Sequence, residues 1–318
     1  MTEQFFGYRT TALQAVANID LSGCNAVITG AYSGVGLETV RALASAGATV
    51  TIACRDLVKA QNTAAELNSE CGQQRVLAAE LDLSSLASVK AFTDHYLSEH
   101  NTLELLINNG AIMACPFELT VDGFESQFGV NYIAHFALTR QLLPALIAAQ
   151  SARVVCLSST GHFLSPVIFE DIQFEHRAYD PWQSYGQSKT ACALLAVAVQ
   201  DRYSEQGIEA FAVHPGGIMT TLQRHMSKDD ITSRGWVDEQ GQVNKAFKSV
   251  QEGASTSVWA ATAAALNGRG GRYLEDCSEA VVHSTLPASR NGVMDYAVDV
   301  EQANKLWDLS EQWLAQRS

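Results

Sequence analysis

Tyr185 and Lys189 stand one helical turn apart in Tyr185-Gly-Gln-Ser-Lys189, so an ammonium can favour the phenolate while the phenol trades a proton with a substrate oxygen. Ser158-Ser159-Thr160 bring hydroxyls to the end of an apolar run upstream, where one of the three can hydrogen-bond the same oxygen. A second chemistry is written near the start, in Thr29-Gly30-Ala31-Tyr32-Ser33-Gly34-Val35-Gly36. Glycines where a strand turns into a helix let the backbone approach a pyrophosphate, and the helix N-terminus faces its charge. The spacing is T-G-x-x-x-G-x-G rather than G-x-G-x-x-G, which directs attention further along the chain. About 20 residues past the first glycine, dinucleotide folds read the ribose 2′ position, with a carboxylate for NAD or a cation for NADP. Here the second apolar run ends Ala53-Cys54-Arg55, which favours NADP(H), while Asp56 either offsets Arg55 or caps the next helix.

These residues need a scaffold that alternates strand and helix, and the hydrophobic pattern supplies it. Strands are expected at Asn25–Thr29, Thr49–Cys54, Val76–Leu83, Leu103–Ile107, Arg153–Leu157, Glu209–Val213 and Arg272–Leu274. Helical spacing follows most of them, over about 122–149, 185–203 and 251–266 among others, with an amphipathic tail from Ala303 to Leu314. Parallel strands joined by crossover helices give an α/β class: a doubly wound, Rossmann-type parallel sheet with helices on both faces. Residues 1–20 read as a leader and 21–318 as a single domain. The polar stretch 218–250, with broken periodicity, falls beyond the carboxyl ends of the strands, where a substrate lid belongs.

Taken in order, T-G-x-x-x-G-x-G, Asp82, Asn108-Asn109-Gly110-Ala111, Asn131, Ser159, Tyr185-x-x-x-Lys189 and Pro215-Gly216 resemble the short-chain dehydrogenase/reductase family over about residues 20–275. Ile19-Asp-Leu-Ser-Gly23, Ala53-Cys-Arg-Asp56, Asp82-Leu83-Ser-Ser85 and Gly271-Arg-Tyr-Leu-Glu-Asp-Cys277 are most similar to its retinol dehydrogenase and WW-domain oxidoreductase group, although neither a WW domain nor a membrane anchor is expected here. The resemblance implies Tyr185 as general acid or base, Lys189 holding the nicotinamide ribose, Ser159 polarising the substrate oxygen, and Asn131 supporting a water that relays protons to Lys189. It further implies cofactor contacts from Gly30, Tyr32, Ser33, Gly34, Val35, Gly36, Arg55, Asp82, Leu83, Asn109, Gly110, Ala111, Pro215, Gly216, Ile218 and Thr220. Ser158 or Thr160 remains an alternative to Ser159, a helix kink an alternative task for Asn131, and helix capping an alternative for Asp82. Two departures stand out. The family pattern N-N-A-G is replaced by Asn108-Asn109-Gly110-Ala111, and the segment 160–184 is long, with Phe163, Phe169, Phe174, Tyr179 and Trp182 either lining a pocket or packing the insertion.

The chain has 318 residues, 47% of them apolar, and a formal net charge of −13 without a basic cluster, which argues against nucleic-acid and anionic-membrane partners. Seven cysteines without a C-x-x-C pair read as reduced thiols, which together with the lack of a signal or spanning segment predicts a cytoplasmic protein. His214 stands alone without a second ligand at metal spacing, so no metal is expected. The apolar run Ala191–Val199 suggests burial on more than one side, as in the dimers or tetramers that the resemblance implies; the insertion before Tyr185 leaves a monomer open. The expected activity is hydride transfer between NADP(H) and a bulky, fairly apolar alcohol, ketone or aldehyde. The competing readings are a catalytically silent NADP(H)-binding sensor and a non-redox dehydratase or epimerase on the same fold.

Overall fold

Eight strands form one sheet in the order β3-β2-β1-β4-β5-β6-β7-β8 in the computed structural model, which describes residues 6–317. They are β1 (Asn25–Thr29), β2 (Thr49–Cys54), β3 (Val76–Glu80), β4 (Leu105–Asn108), β5 (Ala152–Leu157), β6 (Ile208–His214), β7 (Tyr273–Glu275) and β8 (Ser278–Glu279). Every pairing is parallel except β7–β8 at the edge. A separate parallel pair joins β9 (Val282–His283) to β10 (Val293–Met294). The helices are α1 (Ala12–Ala15), α2 (Gly34–Ser45), α3 (Leu57–Cys71), α4 (Leu86–Glu99), α5 (Ser126–Phe128), α6 (Ala134–Ala148), α7 (Pro181–Tyr203), α8 (Lys228–Ser233), α9 (Val250–Gly253), α10 (Ser255–Thr262) and α11 (Val300–Ala315).

The central strands read as continuous apolar runs because both sheet faces are covered. Val89, Phe136, Leu194 and Trp307 from α4, α6, α7 and α11 pack one face, and Ala12, Leu43, Leu67 and Val258 from α1, α2, α3 and α10 pack the other. Because β1 is flanked by β2 and β4, consecutive crossovers leave in opposite directions there, and a crevice opens beyond the carboxyl ends of β1 and β4.

Boundaries differ from the sequence pattern where a polar side chain intervenes. β3 stops at Glu80 rather than Leu83 because the chain turns at Asp82, whose carboxylate accepts from Ser84 N–H and Oγ–H. The helix expected from about 122 begins at Ser126, where Glu125 caps it, and passes through a π turn at Gly129–Ile133 before α6. The stretch 251–266 is divided into α9, α10 and a 3₁₀ turn at Ala264–Leu266. α7 opens at Pro181, one turn before Tyr185, with Asp180 accepting from the Trp182 and Gln183 N–H groups.

Of the leader 1–20, the first five positions lie outside the described residues, and the rest is packed down. Ala12, Ala15 and Val16 are buried in the same cluster as β1, and Arg9 donates to the Lys245 and Phe247 carbonyls and pairs with Glu252. The stretch 218–250 is thereby held at its far end, where Lys248 N–H also donates to the Gly217 carbonyl and Lys248 Nζ pairs with Asp276. The all-round apolar face of α7 is covered by α11 of the same chain, with Tyr203 and Trp307 rings 5.8 Å apart and Arg202 paired to Asp308. Its burial therefore does not call for a second subunit.

Candidate active site

A cleft of about 1230 Å³ runs over the carboxyl ends of the strands. Its floor begins at the turn after β1. Gly30 adopts φ +65°, and a Cβ there would lie 2.8 Å from Gly110 Cα; one on Gly36 would lie 2.7 Å from Asn109 Nδ2 and 2.8 Å from Ala31 Cα. The turn after β1 can therefore approach the turn after β4 only with glycine at positions 30 and 36. Ser33 precedes α2 without a side-chain cap, unlike Asp56, Ser85, Asp180 and Asp299 before α3, α4, α7 and α11. The first N–H groups of α2 are left to an anion. This bare helix start and the sterically required glycines fit the pyrophosphate of a dinucleotide.

Thr29 ties the two turns together. Its Oγ1 accepts from the N–H of Asn109 (2.9 Å) and Gly110 (2.8 Å) and donates to His135 Nε2 at 2.8 Å. The direction follows from the other ring nitrogen, since Nδ1 must donate to the Asn131 carbonyl, 2.8 Å away. Burial pushes the His135 pKa down to about 4, so the ring is neutral and this tautomer is the one the bonds require.

Beyond β2, Cys54, Arg55, Asp56 and Lys59 line the far end of the cleft with Tyr32, Asp82 and Leu83. Asp56 caps α3 and pairs with Lys59 Nζ at 2.8 Å, and among the described residues Arg55 has no ion-pair partner. Lys59 Nζ also lies 5.7 Å from the Tyr32 ring centre. Lys59 was not singled out in the sequence. Its only trace there is its place on the first turn after Asp56.

At the other end, Tyr185, Lys189, Ser159 and Thr160 share the wall with Pro215, Gly216, Ile218 and Thr220. Lys189 Nζ stands 5.8 Å from the Tyr185 ring centre and donates to the Leu157 carbonyl at 2.9 Å. Gly161 makes room for the phenol: a Cβ there would come within 2.6 Å of Tyr185 Cε1. Ser159 Oγ accepts from Gly161 N–H at 3.0 Å, so its own proton remains to be donated. Ser158 Oγ, by contrast, is spent on the Lys189 carbonyl at 2.8 Å. His162 holds the Ser159 carbonyl through Nδ1 at 2.6 Å while its Nε2 accepts from Met294 N–H, and burial lowers its pKa to about 4.

The cleft wall includes every residue expected to contact cofactor, from Gly30 to Thr220, together with Ser159. Asn131 is not on that wall. Fully buried, it bonds Ile112 N–H and carbonyl and Ser188 Oγ, fastening the turn after β4 to α7 from behind. His214 lies at the end of β6, where burial drives its pKa down to about 3. Of the insertion aromatics only Trp182 faces the cleft. Phe163 leans on His162, Phe169 packs against the core cluster, and Phe174 and Tyr179 pack edge to face. Leu164, Trp236, Phe247, Arg224, Arg234 and Arg290 complete the mouth, and none was legible as a site residue because the lid, the insertion and the loop before β10 carry no periodic signal.

The model of the short chain dehydrogenase family matches residues 24–231, from the strand before the glycines to the start of the lid. The chain belongs to the short-chain dehydrogenase/reductase family. Within it, the chain is 43% identical over 293 residues to a probable oxidoreductase of Streptomyces antibioticus, covering 91% of this chain and 97% of that one. It is 38% identical to human retinol dehydrogenase 12, covering 92% and 87%. A crystal structure of an uncharacterised protein from Mycobacterium paratuberculosis superposes with a TM-score of 0.72 at 33% identity, over 96% of this chain and 97% of that one. As a family member the chain is an oxidoreductase acting on CH–OH or C=O groups with a nicotinamide cofactor. No helix among the described residues is long and apolar enough to cross a membrane.

Proposed function

We propose that this short-chain dehydrogenase/reductase interconverts bulky, fairly apolar ketones or aldehydes and their alcohols with NADP(H), and that Tyr185 carries the proton. The observation behind the proposal is the shared wall of Tyr185, Lys189 and Ser159, with Gly161 opening the space for the phenol ring. The glycine turns and the start of α2 would hold the pyrophosphate, Lys189 the nicotinamide ribose, and Arg55 with Lys59 a 2′-phosphate. When bound, the nicotinamide supplies or accepts the hydride. Ser159 Oγ–H donates to the substrate oxygen and fixes its position. Tyr185 Oη gives that oxygen a proton in reduction and takes it back in oxidation, and the Lys189 charge favours the phenolate left behind. Trp182, Trp236, Phe247 and Leu164 would exclude water around an apolar substrate.

Support for NADP(H) comes from Arg55, which lines the cleft without an ion-pair partner among the described residues, next to Cys54 where a NAD-dependent fold would carry an acid. The test is the initial loss of absorbance at the reduced-nicotinamide band with NADPH and, separately, NADH, against aryl ketones, aldehydes and retinal. Turnover preferring NADPH is expected. Equal rates with both cofactors would remove Arg55 as the phosphate reader, and silence with every carbonyl, alongside tight NADPH binding, would favour a cofactor-binding protein without turnover.

A further inference from the structure

The mouth of the cleft carries a charge pattern that the family chemistry does not require. Four rings run outward from the proposed proton donor: Tyr185 and Trp182 are 6.4 Å apart, Trp182 and Trp236 6.2 Å, Trp236 and Phe247 5.8 Å. The Arg234 guanidinium lies 3.8 Å from the Trp182 ring centre, so its charge is placed one ring away from Tyr185. Arg290 reaches the same cleft from the other side, on the loop before β10, whose Met294 N–H is bonded to His162 behind Ser159.

Neither arginine has an ion-pair partner among the described residues, whereas Arg9, Arg41, Arg140, Arg153, Arg177, Arg202 and Arg269, all away from the cleft, are paired. The acids on the cleft wall are Asp56, Glu80 and Asp82, all at the far end beside Arg55. In a chain of net charge −13, a mouth that carries Arg224, Arg234 and Arg290 without an ion pair among the described residues, with no acid on the cleft wall at this end and Asp230 one turn before Arg234 outside it, attracts anions into a site that otherwise repels them.

We infer that the substrate is an amphiphilic anion: an apolar body that bears the reacting carbonyl or alcohol and, at its outer end, a carboxylate held by Arg234 and Arg290. The aromatic row receives the body, and a planar guanidinium already stacked on Trp182 is oriented to take a carboxylate edge-on. The inference rests on the oxidoreductase reading for which atom reacts, but not for where the charge is held.

The two parts separate experimentally. Isothermal titration of the full chain, saturated with NADPH so that the cofactor's own anion sites are filled, compares octanoate with 1-octanol, neither of which NADPH can reduce. Octanoate is expected to bind about tenfold more tightly, a margin typical of one charge-assisted contact. Arg234→Gln and Arg290→Gln each remove most of that margin and leave 1-octanol within about twofold, because only the charged contact is deleted. Equal affinity for the two probes overturns the proposal, as does a loss of both probes alike in Arg234→Gln, which would make Arg234 a fastener of the lid on Trp182. Initial rates with 8-oxooctanoate and octanal then show the same preference in kcat/KM. Arg-dependent octanoate binding with no turnover of either aldehyde would refute the reductase reading while the anion site stands.

Discussion

At the scale of single residues, the proposed mechanism assigns Tyr185 one atom of consequence. Tyr185→Phe deletes the hydroxyl and keeps the ring that fills the space beside Gly161, so the fold and the cofactor wall are preserved. Turnover is expected to fall by about 10²–10⁴-fold, the usual size of general acid–base catalysis, with the NADPH dissociation constant within about twofold. Wild-type turnover in this variant would remove Tyr185 from the chemistry. Arg55 is argued in the same way. Since Asp56 is engaged with Lys59, Arg55→Ala is expected to weaken NADPH by about tenfold or more and NADH hardly at all, measured by quenching of protein fluorescence. Equal losses would mean a surface charge. Both residues could be singled out in the sequence, Tyr185 by its spacing to Lys189 at the start of a helix and Arg55 by its place at the end of the second apolar run. His135 and Gly161 were not, because a histidine on an apolar helix and a glycine in a loop acquire meaning only from Thr29 and Tyr185, which are remote in the chain.

At the scale of elements, the exchange of N-N-A-G for Asn108-Asn109-Gly110-Ala111 has a steric account. A Cβ on Gly110 would meet Leu83 Cδ1 at 2.8 Å, the far end of a side chain that can swing away, whereas one on Gly30 would meet the Gly110 backbone at 2.8 Å with φ at +65°. Gly30→Ala is therefore expected to cost about 1–3 kcal/mol of stability and most of the cofactor affinity. Gly110→Ala should cost under about 1 kcal/mol, with its effect confined to cofactor binding through the displaced Leu83. Urea unfolding and NADPH titration of the two variants check this, and a Gly110→Ala loss as large as that of Gly30→Ala would contradict it. The parallel strands themselves were readable because strands buried on both faces are uninterrupted apolar runs, and β1 and β2 have the bounds their pattern implies. The mouth was not. Trp236, Phe247, Arg234 and Arg290 sit in stretches without period, and the lid is anchored from outside by Arg9 and by Asp276, which holds Lys248 at its far end. The apolar run on α7 has a cover that the sequence pattern did not identify: a later helix of the same chain, α11, packs on it.

At the scale of the whole molecule, the buried His135 and His162 and the half-buried His214 couple the site to acid stability. Burial lowers the pKa of His135 and His162 to about 4 and of His214 to about 3, against 6.5 for an exposed ring. Each is depressed on folding, so the unfolded chain takes up protons that the native chain refuses. The stability they protect is present in full above about pH 6.5 and falls as the pH drops toward 4, by roughly 1.4 kcal/mol per pH unit for each histidine. Glu275, whose carboxyl is pushed up by burial, works in the opposite sense. Carboxyls held below their ordinary value, such as Asp230 beside Ser227, act only below the window. Unfolding free energy measured in urea between pH 4.5 and 6.5 is therefore expected to climb as the pH rises, with activity failing toward the acid end of the range. His135→Gln isolates one contribution. It removes one titrating group while keeping an acceptor for Thr29 Oγ–H, so the slope should drop by about a third. A flat profile in the wild type, or an unchanged slope in His135→Gln, would show that the ring is not held neutral by the fold.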